Sequence, residues 1–174
     1  MLRRAEDLHD EAVAVVADER AALAAAGVPG ELVWLGASSV PGALTRGDVD
    51  LHLRVPPDAF DAAVALVRRD HAVVHPEIWC ATLATFAVDA PLPAGLAVTP
   101  VGSEHDVRFT RTWALLRADP ALLAEHNRVK AEADATASDE YEARKSAFFD
   151  RILAAAPVTP ADGSVGGTDG DATV

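Results

Sequence analysis

The sequence predicts an α/β protein of the α+β kind, in which a small mixed β-sheet carries helices on one face and is followed by a helical C-terminal third. Two observations lead to this fold class. Over the first hundred residues, short runs typical of strands are interleaved with helical periodicity, and after Gly102 only helical periodicity remains. Because 174 residues suffice for one domain with a core, we expect a single domain over residues 1–156.

The elements of the first hundred residues follow from apolar spacing and from turn residues. Apolar side chains recur at helical intervals until Gly27, the run before Gly36 is short and apolar, and the run after Gly47 alternates strictly between polar and apolar residues. A proline-rich connection then separates two further extended runs. The predicted elements are a helix from Arg4 to Ala26, strands from Glu31 to Leu35 and from Asp48 to Val55, a helix from Pro57 to Arg69, and strands from Thr82 to Val88 and from Leu96 to Val101.

Three helices are predicted after Gly102. Ser103 is a suitable N-cap, and we interpret Glu104-His105-Asp106 as a solvated, acidic first turn rather than a metal cluster. Asp119-Pro120 begins the next helix, and Ser138 begins the third. Residues 157–174 are rich in Gly, Asp, Thr and Pro, and we expect them to form a disordered tail.

The composition limits the kinds of partner. Lys and Arg number 15, and Asp and Glu number 27, so the net charge of −12 disfavours nucleic acid but is compatible with a small phosphorylated ligand bound together with a divalent cation. A bias of the source genome or a salty cytoplasm explains the acidity equally well. The sequence has no run of about 20 apolar residues and no signal-peptide pattern, and its single cysteine, Cys80, allows no internal disulfide. We therefore expect a cytoplasmic protein without a membrane partner, with Cys80 buried and inert.

One face of the predicted strand after Gly47 carries the residues suited to chemistry. Side chains alternate along a strand, so Asp48, Asp50, His52 and Arg54 share one side, and the aliphatic residues between them share the other. The two aspartates have Cα atoms about 6.6 Å apart, which lets both carboxylates bind one hard cation such as Mg²⁺. This face is therefore a candidate metal site.

A polar turn precedes that strand. Gly36 allows a tight backbone turn, and Ser38 and Ser39 place hydroxyl groups where a following helical turn presents free N–H groups to a phosphate. A metal held by paired aspartates, opposite a phosphate-binding turn, is the minimum for nucleotidyl or phosphoryl transfer. The alternative is an ordinary turn followed by an edge strand that has one polar face.

The motif "GASSVPG", with "DLHL" eight residues after it, resembles the Gly-Ser-Thr-Ser-Val-Pro-Gly signature of the GrpB family. The segments "LLRADPALLAEHNRVK" and "YEARKSAFFDRIL" resemble the C-terminal motifs of that family, so the likeness spans roughly residues 5 to 155. The resemblance implies a nucleotidyltransferase-superfamily fold of the DNA polymerase β type, in which a glycine turn precedes an Asp-x-Asp pair. It thereby implies that Asp48 and Asp50 are catalytic and hold Mg²⁺ (or Mn²⁺), with Gly36, Ser38 and Ser39 at the phosphates of a nucleotide.

The resemblance also extends the candidate site to residues outside this stretch. Lys130 and Lys145 become candidate phosphate contacts, with Tyr141 on the same helical face as Lys145. Arg46 stands where the family has a lysine, which keeps the charge but changes its geometry.

Three features depart from the family pattern. Ala37 stands in place of a serine of the turn, and Ala97 stands in place of an expected histidine. The third carboxylate of the superfamily has no matching motif, and its candidates are Glu77, Asp89 and Glu104.

The sequence therefore supports three hypotheses. The first is a transferase that moves a nucleotidyl or related group from a nucleotide to a small acceptor. The second is a nucleotide- or metabolite-binding module without catalysis, linked to coenzyme A metabolism because some members of the family are fused to dephospho-coenzyme A kinase. The third is reuse of the scaffold for another small-molecule ligation. The acceptor, the base preference and the oligomeric state do not follow from the sequence.

Overall fold

The computed structural model describes residues 1–133 and 138–155, except for the side chains of residues 133 and 138–142. The predicted tail over residues 157–174 lies outside these ranges, and so does the side chain of Tyr141. The helices in the described ranges are α1 (His9–Ala25), α2 (Phe60–Asp70), α3 (Glu104–Ala118), α4 (Pro120–Ala133) and α5 (Ser138–Ala155). The strands are β1 (Arg3–Arg4), β2 (Glu31–Leu35), β3 (Leu44–Thr45), β4 (Val49–Val55), β5 (Ala72–Val73), β6 (Ala84–Val88) and β7 (Ala94–Pro100).

Strands β2, β4, β5, β6 and β7 form one mixed sheet in the spatial order β2-β4-β7-β6-β5. β4 runs parallel to β7, with Asp50 opposite Gly95 and His52 opposite Ala97, and the other neighbouring pairs are antiparallel. β1 and β3 form a separate two-stranded ladder. The predicted fold class is therefore confirmed: a small mixed sheet with helices, followed by a helical C-terminal part.

Helices α1 and α2 cover the aliphatic face of β4. Leu51, Leu53 and Val55 are at most 2% exposed, and they share one apolar cluster with Val15 of α1 and Val67 of α2. Burial of apolar area is the dominant favourable term in folding, so this cluster holds the sheet in place. The apolar half of the alternating pattern thus faces the core, as the sequence predicts.

Helix α3 lies against the opposite, polar face of β4. Arg54 is hydrogen-bonded to Asp106 of α3, and the His52 ring packs edge-on against Phe109 of the same helix, with the ring centroids 5.4 Å apart. Ser103 caps α3 as predicted, because its hydroxyl accepts the backbone N–H of Asp106 at 3.3 Å. Helices thus pack on both faces of β4. In the sheet, β4 lies between β2 and β7, so the alternative of an edge strand is wrong.

The first predicted helix starts later than expected. Arg3 and Arg4 pair as a strand with Thr45 and Leu44, and a 3-10 turn follows, so that α1 begins only at His9. The helical spacing of apolar residues extends over residues 4–8. However, the first N–H groups of a helix have no hydrogen-bond partner within the helix, whereas pairing with β3 gives the backbone of Arg3 and Arg4 such partners. The pairing of β1 with β3 thereby places the N-terminal residues beside the segment that follows Gly36.

The prediction that Cys80 is buried is wrong. The residue is exposed and forms an isolated bridge with Leu83, in the connection between β5 and β6. Free cysteines are usually buried, but this connection runs over the surface. In the part of the chain that the structure describes, every helix is too short or too polar to cross a bilayer.

Candidate functional site

The backbone of Gly36 and the carboxylate of Asp50 lie in direct contact. Gly36 has φ 76° and ψ 176°, a conformation that is essentially restricted to glycine. A Cβ atom at Gly36 would lie 1.9 Å from Oδ2 of Asp50 and 2.7 Å from its Cβ. Glycine is therefore needed at position 36 both for the turn and for the position of this carboxylate.

The hydroxyl groups of Ser38 and Ser39 have partners within the protein. Ser38 is buried, and its Oγ accepts a hydrogen bond from Nε1 of Trp34 at 3.2 Å. Ser39 donates its hydroxyl hydrogen to the carbonyl of Gly36 at 2.8 Å and accepts Nη2 of Arg117 at 2.8 Å. Ser39 therefore braces the turn, whereas the Ser38 hydroxyl still has a hydrogen to donate.

Asp48 is held at the start of β4 by a buried threonine. The hydroxyl of Thr45 donates to Oδ1 of Asp48 at 3.2 Å and accepts the backbone N–H of Gly47 at 3.0 Å. Asp48 is half-buried and Asp50 is exposed, so the two carboxylates lie at the boundary between the protein and solvent.

A buried lysine, Lys130, interacts with both aspartates and with two further cations. Lys130 of α4 is only 6% exposed, and burial lowers the pKa of its ammonium below the ordinary value. Asp48 and Asp50 act on that pKa in the opposite direction, because their negative charges favour the ammonium, whereas Lys145 and Arg46 lower it further. Lys130 is thus close enough to the other four groups to interact with them electrostatically, although the five residues come from three different parts of the chain: residues 46–50, α4 and α5.

Asn127 explains why α4 brings Lys130 to this place. Its Nδ2 donates to the carbonyl of Gly42 at 2.8 Å, and its Oδ1 accepts the backbone N–H of Leu44, also at 2.8 Å. Asn127 thereby joins α4 to the segment between the turn and β4. Lys130 lies one helical turn further along the same face, so it is directed toward the aspartates.

A cavity of about 530 Å³ extends from Asp50 along the polar face of the sheet. Its floor includes two small residues of β7, Gly95 and Ala97, and its walls include aromatic residues of α3 and α5. The resemblance leads us to expect a histidine at position 97 of β7, where this chain has alanine. Ala97 is paired with His52 of the neighbouring strand β4, so an imidazole lies one strand away from the expected position. The residues that line the cavity include Asp50, His52, Phe109, Thr112, Trp113 and Lys145.

A polar network joins β4 to the start of α3 and includes one residue of the cavity lining, His52. Arg54 donates two hydrogen bonds to Asp106, from Nε at 2.6 Å and from Nη2 at 3.0 Å, and the backbone N–H of Gly102 adds a third at 2.8 Å. Burial alone would raise the pKa of Asp106, but the hydrogen bonds from Arg54 and Gly102 outweigh it and lower the pKa. Asp106 is 1% exposed, so the expectation of a solvated first turn is wrong for this residue. Its charge is satisfied by a partner 52 positions earlier in the chain.

His52 belongs to the same network. Its Nε2 lies 2.7 Å from Oγ1 of Thr99 and 3.7 Å from Oδ1 of Asp106. Burial lowers the pKa of His52 from 6.5 to about 4, against the opposing effect of the Asp106 charge. The ring is therefore neutral near pH 7.

The comparison with solved structures concerns the fold. The crystal structure of the conserved protein GrpB from Enterococcus faecalis is similar to this chain, with a TM-score of 0.62, and the match covers 88% of this chain and 99% of that chain. The fold is GrpB-like. Sequence identity is 14%, so the likeness shows the fold alone. No protein-family model and no curated protein matches the sequence.

The GrpB-like fold brings most of the predicted site residues together. Gly36 touches Asp50, and the predicted Lys130 interacts electrostatically with Asp48 and Asp50 and with the predicted cations at positions 46 and 145. The described residues contain no group of three or more His, Cys, Asp or Glu side chains that could hold a metal ion, so none of the candidate third carboxylates joins the pair. Sequence reasoning missed Thr112 and the role of Asp106, because nothing local marks which helical residues will face a sheet.

Proposed function

We propose that this chain binds a nucleotide together with Mg²⁺ (or Mn²⁺) and transfers a nucleotidyl or related group from it to a small acceptor. The observation that carries the proposal is the convergence of Asp48 and Asp50 with Lys130 and Lys145 beside the Gly36 turn, at the mouth of a cavity. Carboxylates for a metal and cations for phosphates are the elements that such transfer needs, because it depends on positioning and charge neutralisation. With one cysteine in the sequence, we place this activity in the reducing cytoplasm.

The two carboxylates fit the way in which proteins hold Mg²⁺. This ion is usually bound by one or two carboxylates and completes its shell with water and substrate phosphates, so a third protein ligand is not required. Asp48 and Asp50 would hold the ion. When bound, it neutralises phosphate charge and polarises the bond that is cleaved.

The charges around the aspartates predict the order of binding. Among the described residues, Lys130 interacts with both aspartates and also with the cations Arg46 and Lys145, so positive side-chain charge lies near the aspartates before any metal is present. A divalent cation alone would be repelled by that charge. Nucleotide phosphates remove that repulsion, and the metal is therefore expected to bind with the nucleotide rather than before it.

The chain's own residues then have distinct tasks. Lys130 and Lys145 contact phosphate oxygens, and Ser38 has a hydroxyl hydrogen available for another. Ser39 and Arg117 brace the turn through their mutual hydrogen bond and so keep Gly36 against Asp50. The burial of Lys130 limits competition from water for its contact with phosphate.

A second candidate function is nucleotide or metabolite binding without catalysis. It is favoured by the absence of a third acid near Asp48 and Asp50 within the described ranges, and by the engagement of the Ser39 hydroxyl with the protein backbone. In that case the cations would bind phosphates, and the aspartates would serve to position Lys130.

Thermal denaturation with each nucleoside triphosphate, with and without Mg²⁺, separates the two candidates. A saturating ligand at about one hundred times its Kd adds roughly 2.7 kcal/mol to the free energy of unfolding, which raises the Tm of a chain of this size by about 5–10 °C. We expect this rise with Mg²⁺ and nucleotide, and its loss in Asp50→Asn. Asp70→Asn is the matched control, because Asp70 is exposed on α2 at the other face of the sheet.

Each other outcome has a defined meaning. A rise that needs no Mg²⁺ and survives in Asp50→Asn supports the binding module over the transferase. If no nucleotide raises the Tm of the wild-type protein, the proposed function is wrong. For a nucleotide that does bind, transfer of label from the α-phosphate to a small acceptor then tests catalysis.

A further inference from the structure

Two buried polar atoms that belong to cavity-lining residues have no hydrogen-bond partner within the described ranges. They are Nδ1 of His52 and Oγ1 of Thr112, on side chains of residues that are 1% and 3% exposed. Buried polar groups are nearly always hydrogen-bonded, so each such atom needs an explanation. A third atom of this kind, Oε1 of Glu19, is explained by an ion-pair contact of 2.9 Å with Nε2 of His71 on the other side of the sheet.

The surroundings of His52 identify Nδ1 as an acceptor. The Asp106 carboxylate lies near Nε2, and its negative charge favours the tautomer that carries the hydrogen on Nε2. In that tautomer Nε2 donates to Oγ1 of Thr99, and Nδ1 is left with a lone pair. The unsatisfied group of Thr112 is a hydroxyl, which can both donate and accept.

The walls around these two atoms suit a flat ring. Phe109 packs edge-on against His52, and Trp113 packs edge-on against Phe149, with ring centroids 5.4 Å and 5.8 Å apart. All four of these residues line the cavity. Gly95 and Ala97 leave the floor below them free of large side chains.

We infer that His52 and Thr112 form a subsite for the base of the nucleotide, in which Nδ1 of His52 accepts an N–H of the base and Oγ1 of Thr112 bonds to a neighbouring polar atom. This inference rests on the proposed function, since it places the base at the inner end of the cavity and the phosphates at the end marked by Asp50. Recognition by neutral groups that are otherwise unsatisfied gives discrimination, because a ligand without the matching N–H leaves them unpaired.

Thr112→Val tests the inference, because it should raise the stability of the ligand-free protein and at the same time weaken nucleoside binding. The substitution keeps the shape of the side chain and removes a buried hydroxyl that has no partner, so the ligand-free protein should gain stability, with a Tm higher by about 2–4 °C. Binding of a nucleoside should weaken by roughly tenfold, because its bond to Oγ1 is lost. A residue that served only the fold would not show stabilisation together with weaker binding.

Thr110→Val is the matched control on the same helix. The Thr110 hydroxyl donates to the backbone carbonyl of Asp106 at 2.7 Å, and Thr110 does not line the cavity. Its replacement should lower the Tm of the ligand-free protein and leave nucleoside affinity unchanged. The two substitutions therefore remove the same hydroxyl group, from a residue that lines the cavity and from one that does not.

The probes are adenosine, guanosine, cytidine and uridine, titrated by calorimetry without metal. We expect at least one of them to bind the wild-type protein and to bind Thr112→Val more weakly. In protein carrying ¹⁵N-labelled histidine, the same nucleoside should shift the Nδ1 resonance of His52 toward a hydrogen-bonded acceptor, while the resonances of His9, which is exposed and does not line the cavity, stay in place.

The outcomes separate this inference from the proposed function. If Mg²⁺ and a nucleotide bind through Asp50 but no nucleoside binds and Thr112→Val changes nothing, the subsite is wrong and the proposed function stands. If a nucleoside binds as expected while Asp50→Asn and Mg²⁺ have no effect on nucleotides, the subsite stands and the metal-dependent function is wrong. If neither nucleosides nor nucleotides bind, both are wrong.

Discussion

The two faces of β4 differ in what covers them, although they alternate along the same seven residues. The aliphatic face packs against α1 and α2 in a continuous apolar cluster. The polar face meets α3 through the Arg54–Asp106 ion pair and the His52 ring, and beside them a cavity remains. One strand thus combines a face that stabilises the fold with a face whose polar atoms are only partly satisfied.

The difference shows where a small protein can place a binding site. On the apolar face each contact adds to stability, and no atom there needs a ligand. On the polar face, Arg54 and Nε2 of His52 have hydrogen-bond partners in Asp106 and Thr99, whereas Nδ1 of His52 and the hydroxyl of Thr112 find none among the residues that the structure describes. A ligand can therefore supply on the polar face the hydrogen bonds that folding leaves unmade.

The largest expected effect comes from damage to the apolar face. Leu53 is 2% exposed, and Leu53→Ala should lower the free energy of unfolding by roughly 4 kcal/mol, because it removes buried methyl groups and leaves a cavity. Urea denaturation at neutral pH measures the change. Val13→Ala on the exposed side of α1 is the control and should cost less than about 0.5 kcal/mol. Equal costs for the two variants would contradict the assignment of this face to the core.

A substitution at the polar turn should affect both stability and binding. Gly36→Ala forces a strained φ and drives a methyl group into Asp50, so we expect a loss of about 3 kcal/mol together with loss of nucleotide-dependent stabilisation. Gly27→Ala has a similar φ of 69° with nothing within 4 Å of the added atom, and it should cost only about 1 kcal/mol. If Gly36→Ala behaved like Gly27→Ala in urea denaturation, close contact with Asp50 would not matter.

The smallest of the three effects is a loss of stability in acid, which is caused by His52 on the polar face. Burial lowers the pKa of His52 from 6.5 to about 4. Between these pH values His52 is protonated in the unfolded chain but neutral in the folded protein. Stability therefore falls as the pH falls through this window, by roughly 2 kcal/mol at about pH 5 for this residue. His126, in the aromatic cluster of the C-terminal helices, has a pKa of about 4 for the same reason and adds a similar loss.

Urea denaturation at about pH 7 and about pH 5 measures this loss. His52→Phe cannot be protonated, so it should be less stable than wild type at neutral pH yet lose about 2 kcal/mol less on acidification. His75→Gln is the control, because His75 is exposed. An unchanged pH dependence in His52→Phe would show that the ring is not held neutral on the polar face.

Local patterns in the sequence determined much of this protein. Strict alternation in residues 48–55 separated the aliphatic face of β4 from the polar one, and Gly36 before two aspartates marked the turn that does lie against Asp50. The C-terminal helices and the cap at Ser103 were also predicted, because helical spacing and capping depend on residues only a few positions apart.

Only the tertiary structure decided what meets the polar face. The Arg54–Asp106 pair spans 52 positions, and the bonds of Asn127 to Gly42 and Leu44 span more than 80. Such pairings depend on how helices pack on the sheet. Each of them requires a single residue at one position, so they produce no periodic pattern in the sequence. For the same reason the sequence marked Lys130 as a candidate but did not show that it is buried within reach of the aspartate charges. Nor did it show that the Thr112 hydroxyl lies at the cavity with no partner in the described part of the chain.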